Sequence, residues 1–235
     1  MLIKDYNGCT TGVCKTLDLQ IIAELQVLTN GGLVKIKPRD GLVLAENVHP
    51  YLSKKAEESL GRILYTKNLY INSCYRTVAQ QLILYQNAQK CGLVAAKPGQ
   101  SNHQSGLSID INDSHYWKGQ LEALGWDKLG SFDDMHFDFN GTNLQSLSVK
   151  AFQILANKNN YLLTTDGLLG EKTFYALRNA PVEGFENGLV PRKLVFTSPH
   201  QQGKDVEDLQ KKLGVKVDGW FGIDTEKAFK NGFKN

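Results

Sequence analysis

Two short stretches of alternating side chains do most to limit how this chain can fold. Leu107, Ile109 and Ile111 alternate with Ser108, Asp110 and Asn112, and Met135, Phe137 and Phe139 alternate with Asp134, His136 and Asp138. A period of two marks a half-buried strand, with one face for a core and the other for solvent or a cleft. Each polar face carries a residue type that can ligate a metal: Asp110 on the first and His136 on the second. As neighbours in a sheet, the two strands would aim both into one cleft. His103 precedes the first strand, and Gly106 between them marks a tight piece of backbone. A mononuclear catalytic zinc site takes about three nitrogen or oxygen ligands and keeps a further position open for water. His103, Asp110 and His136 supply that set.

Taken singly, none of these residues points to a metal, because a lone histidine beside a strand is usually a cap or a hydrogen-bonded group. Spacing and the shared faces carry the reading. His49, His115 and His200 have no such company. His49 precedes Pro50 in a turn and His115 lies in a polar run, so both are expected to be structural.

The segment resembles the zinc peptidoglycan peptidases of the VanY-like D-alanyl-D-alanine carboxypeptidase group, which includes L-alanyl-D-glutamate endopeptidases. That group carries Ser-x-His-x-x-Gly-x-Ala-x-Asp, followed by an acidic residue three positions before a last histidine. Ser101, His103, Gly106 and Asp110 match in spacing, Ser108 stands for the alanine, and Asp133 and His136 match the second part. The acidic residue is commonly Glu in the carboxypeptidases, so Asp133 looks more like the endopeptidase branch. Ser73-Cys74-Tyr75-Arg76-Thr77 is similar to a family segment whose arginine lies near the metal. A planar guanidinium binds a carboxylate through paired hydrogen bonds, which suits a substrate bearing a free carboxyl group.

The resemblance implies that zinc is held by His103, Asp110 and His136. It makes Asp133 the general acid and base, Arg76 the holder of a substrate carboxylate or oxyanion, and Ser101 a further substrate contact. One conflict stays open. A strand beginning at Asp133 would turn that residue away from His136 and make Asp134 or Asp138 the cleft carboxylate, whereas the family spacing requires a turn at Asp133. Asp138 is either a partner for the His136 ring or a surface carboxylate. Asn102 and Gln104 receive no role.

Elsewhere the periodicity predicts helices over 16–29, 54–66 and 78–90, strands over 33–36 and 69–73, and a short helix between Trp117 and Trp126 whose aromatics pack in the core. Ser53 is the expected N-cap of the second helix. Past Asn140-Gly141 an internal repeat begins. Asp166-Gly167-Leu168-Leu169-Gly170 with Thr173 recurs as Asp218-Gly219-Trp220-Phe221-Gly222 with Thr225, and a helix bearing Gln153 or Gln210 precedes each copy. Spacing repeated in this way identifies a structural unit, and it resembles the peptidoglycan-binding repeat attached to wall hydrolases. The expected fold is α+β. A small antiparallel sheet with flanking helices carries the zinc site in residues 1–142, and a small, mainly helical domain of two repeats occupies 143–235. The first 45 residues receive no function.

With 41% hydrophobic and 22% charged residues among 235, the chain has the composition of a soluble globular protein. A net charge of +3 without basic runs excludes nucleic acid as the expected partner. No apolar run is long enough for a membrane span. The first residues lack the pattern of an ordinary signal peptide, so action at the cell wall is expected by a lysis route or another exporter. Cys9 and Cys14 can close a small loop, but buried free thiols are the expected state of the four cysteines. A monomer is expected, with peptidoglycan as partner. The competing readings are a wall-binding protein with an inactive peptidase domain and a structural zinc site. The first would lack a ligand or the base, and the second is normally closed by four protein ligands.

Overall fold

The computed structural model describes residues 1–46, 48–130, 133–189, 207, 210, 211 and 213–218. The chain divides into two compact units, Met1–Arg192 and Lys193–Asn235. Within the first unit, helix α1 (Lys15–Thr29) buries Leu17, Ile21, Ile22 and Leu25. It stops where Asn30 turns left-handed and returns its amide to the carbonyls of Gln26 and Val27, a common helix ending.

The central sheet has five strands, in the order β2 (Leu42–Leu44), β4 (Leu69–Ser73), β5 (Ser108–Ile111), β7 (His136–Phe139) and β6 (Trp126–Lys128). The first pair is parallel and the others are antiparallel. A second small sheet pairs β1 (Leu33–Lys35) with β3 (Tyr51–Ser53) in antiparallel fashion. Ile71, Ile109, Ile111 and Phe137 turn to the same core as Leu52, Leu60, Trp117, Leu121 and Trp126. The expected α+β class is therefore the observed one, with both tryptophans buried in the core. Helix α3 (Val78–Asn87) and helix α4 (Ser114–Ala123) overlap the expected 78–90 and Trp117–Trp126, with Trp126 itself in β6, and Thr77 caps α3 by accepting from the amide of Gln80.

Three expectations are corrected. Helix α2 (Lys54–Leu60) is shorter than the 54–66 anticipated, because Gly61, a weak helix former, ends it. Ser53 sits at its N-cap position without making the side-chain bond, and its hydroxyl is buried without a partner. Not all cysteines are free: Cys9 pairs with Cys91, while Cys14 and Cys74 are buried thiols. Eighty-two residues separate the bonded pair, a distance that spacing arguments do not bridge.

The first repeat copy does not stand apart. Helices α5 (Gln145–Asn157) and α6 (Glu171–Arg178) place Val149, Phe152, Leu155 and Leu177 in one core with Ile3, Leu17, Ile21 and Leu25 of the N-terminal segment and Val78, Leu82 and Ile83 of α3. Packing thus runs across the motif boundary at 142/143, and the first 45 residues acquire a structural role. His49 joins the same body, its Nε2 lying 2.9 Å from a carboxylate oxygen of buried Asp18.

Gln153 explains the glutamine that precedes the repeat turn. It donates to Asp166 and to the Leu168 carbonyl, and it accepts from the amide of Gly167. Gly167 has φ +77°, and a Cβ there would fall 2.6 Å from the Ser146 carbonyl oxygen, so only glycine fits. In the second copy Gln210 donates to Asp218 and accepts from its amide. The remainder of that copy, from Gly219 through Thr225 and on to Phe229, lies outside the described residues, as does His200. Among the described residues no helix is long and apolar enough to cross a membrane.

Candidate metal centre

Adjacent strands assemble the site. Asp110 on β5 faces His136 on β7 and Ser73 on β4 in register. His103 enters from a single 3-10 turn, Asn102–Ser105, which Gly106 ends at φ +73°. That glycine lets the chain pass close to Leu33 and the amide of Ser53 and enter β5. Both imidazoles are almost fully buried, Asp110 is half-buried, and the two rings meet edge to face with centroids 4.9 Å apart.

Hydrogen bonds fix which ring atom each histidine offers. Nδ1 of His103 lies 2.9 Å from the Cys74 carbonyl and donates to it, so Nε2 points inward, 3.2 Å from Asp110 Oδ2. Nε2 of His136 lies 2.9 Å from Asp138 Oδ1, so Nδ1 faces Asp110 Oδ1, also at 2.9 Å. The ligand atoms of His103, Asp110 and His136 all fall within 4.8 Å of one another and can hold a metal ion. Two nitrogens, each on a ring oriented by a second partner, and a carboxylate fit a divalent transition metal.

The electrostatics agree with that use. Burial lowers the pKa of His103, with a hydrogen bond to Asp110 partly opposing it, which favours the neutral ring. Burial also works against a charged His136, but hydrogen bonds to Asp110 and Asp138 outweigh it and raise the pKa to about 9. The Nδ1 proton is the one a metal ion would replace. Burial of Asp110 would raise its carboxyl, yet hydrogen bonds from His103 and His136 hold it well below the usual carboxylate range.

The cluster lies in a cleft of about 410 Å³. Arg76, Ser101, Asn102 and Asp133 line it, and Leu84, Leu93 and Val94 form an apolar wall. The Arg76 guanidinium donates to Ser73 Oγ at 3.0 Å and to Gln81 Oε1 at 3.1 Å. Asp133 opens a turn in which its carbonyl accepts from the amide of His136, and β7 starts only at His136. Strand alternation therefore does not reach Asp133, which lines the cleft. Asp134 is engaged elsewhere, with Lys128 at 2.5 Å, Ser114 at 3.1 Å and His115 at 3.3 Å.

Three residues without an assigned role, Asn102, Ser108 and Gln104, support the site and its loop. Asn102 donates to Asp138 Oδ2 at 2.7 Å and Ser108 donates to its Oδ1 at 2.5 Å, which fixes the carboxylate that holds His136. Ser108 at the position of the family's alanine was the available signal. Gln104 accepts from the amide of Gly99 and so anchors the loop before the metal turn.

A buried pair of imidazoles and a carboxylate that could hold a metal ion thus lie in a cleft also lined by a second carboxylate, Asp133, and an arginine, Arg76. Residues 51–140 match the family model VanY, D-alanyl-D-alanine carboxypeptidase. The match supports, at the level of the family, a peptidase that acts on peptidoglycan. No curated protein matches the chain.

Proposed function

We propose that the protein is a zinc-dependent peptidase that hydrolyses stem-peptide bonds of peptidoglycan, with D-alanyl-D-alanine carboxypeptidase activity as the first reading. The observation that carries it is the convergence of His103 Nε2, the Asp110 carboxylate and His136 Nδ1 in a cleft that Asp133 also lines, inside the VanY-type segment. When bound there, zinc supplies Lewis acidity and a water of lowered pKa. Asp133 accepts the proton of the attacking water and later delivers it to the departing amine. Arg76, steadied by Ser73 and Gln81, receives the substrate carboxylate or the developing oxyanion. Ser101, which lines the same cleft, adds a hydrogen bond to substrate.

Aspartate rather than glutamate at position 133 favours a second reading, an L-alanyl-D-glutamate endopeptidase of endolysin type. Mass spectrometry of digested muropeptides separates the two. Loss of one alanine from pentapeptides supports the carboxypeptidase, and release of whole stem peptides supports the endopeptidase.

The repeats are assigned to retention at the insoluble wall. The Gln–Asp latch common to both copies supports treating them as one kind of unit. A binding unit raises the local enzyme concentration without altering the chemistry. Co-sedimentation with insoluble peptidoglycan, comparing the full chain with residues 1–192, tests the contribution of the second copy.

A further inference from the structure

Beside the metal cleft lies a second cavity of about 430 Å³, lined by Tyr85, Lys97, Pro98, Gly99, Gln100, Leu169 and Phe174. Its walls have different origins. Tyr85 comes from α3 and residues 97–100 from the loop that leads into the metal turn. Leu169 and Phe174 come from the first repeat copy, the former just before α6 and the latter within it. The two walls are held close, since a Cβ on Gly99, at φ +82°, would meet Leu169 Cβ at 3.3 Å. Gln81 ties the other end of the loop by donating to the Ala96 carbonyl at 2.7 Å. Gln100 lines both this cavity and the metal cleft, so a single extended ligand can occupy the two together.

Resting on the peptidoglycan reading above, we propose that this cavity is a subsite for a pyranose ring of the glycan to which the stem peptide is attached. A pyranose has one face of C–H groups and a rim of hydroxyl and acetamido groups. The C–H face suits the aromatic surfaces of Tyr85 and Phe174, whose ring faces carry partial negative charge. The rim suits the ammonium of Lys97 and the amide of Gln100. Mostly apolar walls with a few polar groups are the usual composition of a small-molecule site. Part of the first repeat copy is thereby incorporated into the substrate groove of the peptidase body.

The test is binding of the soluble N-acetylglucosamine–N-acetylmuramic acid disaccharide, read by saturation-transfer NMR on the full chain without turnover. Tyr85, 39% exposed, and the exposed Lys97 can be truncated with little disturbance of the core. We expect Tyr85→Ala and Lys97→Ala each to weaken disaccharide binding about fivefold or more, the scale of one lost aromatic or charged contact. A sugar-free stem peptide is expected not to displace the disaccharide. No binding to the wild type, equal binding by both variants, or displacement by the free peptide would overturn the proposal. Because no hydrolysis is measured, an enzyme that binds the disaccharide at Tyr85 yet cleaves nothing would count against the peptidase reading alone.

Discussion

Asp138 Oδ1 lies 2.9 Å from His136 Nε2, and that contact decides which nitrogen of the ring faces Asp110. Asn102 and Ser108 in turn hold Asp138. Removing such a supporting carboxylate typically costs on the order of 10- to 100-fold in metal affinity. Asp138→Ala is therefore expected to weaken zinc binding by that order in a chelator competition, with Asn102→Ala showing a smaller loss in the same direction. Unchanged affinity in Asp138→Ala would make the carboxylate incidental.

Asp133 and Asp134 are neighbours in sequence with different surroundings, one lining the cleft and the other held by Lys128 and Ser114. Asp133→Asn should keep its metal and lose on the order of 10²-fold or more in kcat, since a positioned acid and base contributes about 10² to 10⁴. Asp134→Asn should lose far less. Steady-state kinetics on a soluble stem peptide checks the order, and the reverse order would transfer the role to Asp134.

Truncation at the motif boundary should fail. Residues 1–142 lack Val149, Phe152, Leu155 and Leu177, which share a core with α1 and α3. Burying each such large side chain contributes roughly 1.5–3 kcal/mol, so their joint loss is comparable with the whole stability of a domain, about 5–15 kcal/mol. Residues 1–192, which form one compact unit, should fold. Circular dichroism melting of the two fragments distinguishes them, and a cooperative melt of 1–142 near that of 1–192 would contradict the shared core.

Much of this organisation was legible in the sequence because it depends on local pattern. Alternation at Leu107–Ile111 located β5, and it placed the β7 face that carries His136. The repeated Asp-Gly turn located the latch that Gln153 makes. Long-range matters were not legible. Nothing near Cys9 points to Cys91, and the apolar face of α1 does not reveal that α5 of the first repeat will cover it. The conflict at Asp133 came from extending strand alternation through what is a turn. Asn102 carries no local signal of its role, because its partner, Asp138, lies 36 residues away.

The two free thiols give a pH-dependent signature. Burial pushes Cys74 up to about 12, and Cys14 is also raised well above the usual thiol range, chiefly by burial. A thiol whose folded pKa exceeds its unfolded value contributes stability that is complete below the unfolded pKa and is lost above it. Stability should thus fall as pH rises from about 9 toward 12. Denaturant melts across that range should show the decline, and it should be smaller in a Cys74→Ala variant. At neutral pH the native protein should give almost no reaction with a thiol reagent, and Cys14 and Cys74 should react once it is unfolded.

The most direct test of the central claim is the metal content of purified wild type and His136→Ala, measured by elemental analysis alongside circular dichroism to verify folding. The wild type should carry about one zinc per chain, and folded His136→Ala should carry almost none. A folded His136→Ala with its full zinc content would contradict the assignment of His103, Asp110 and His136 as the metal centre.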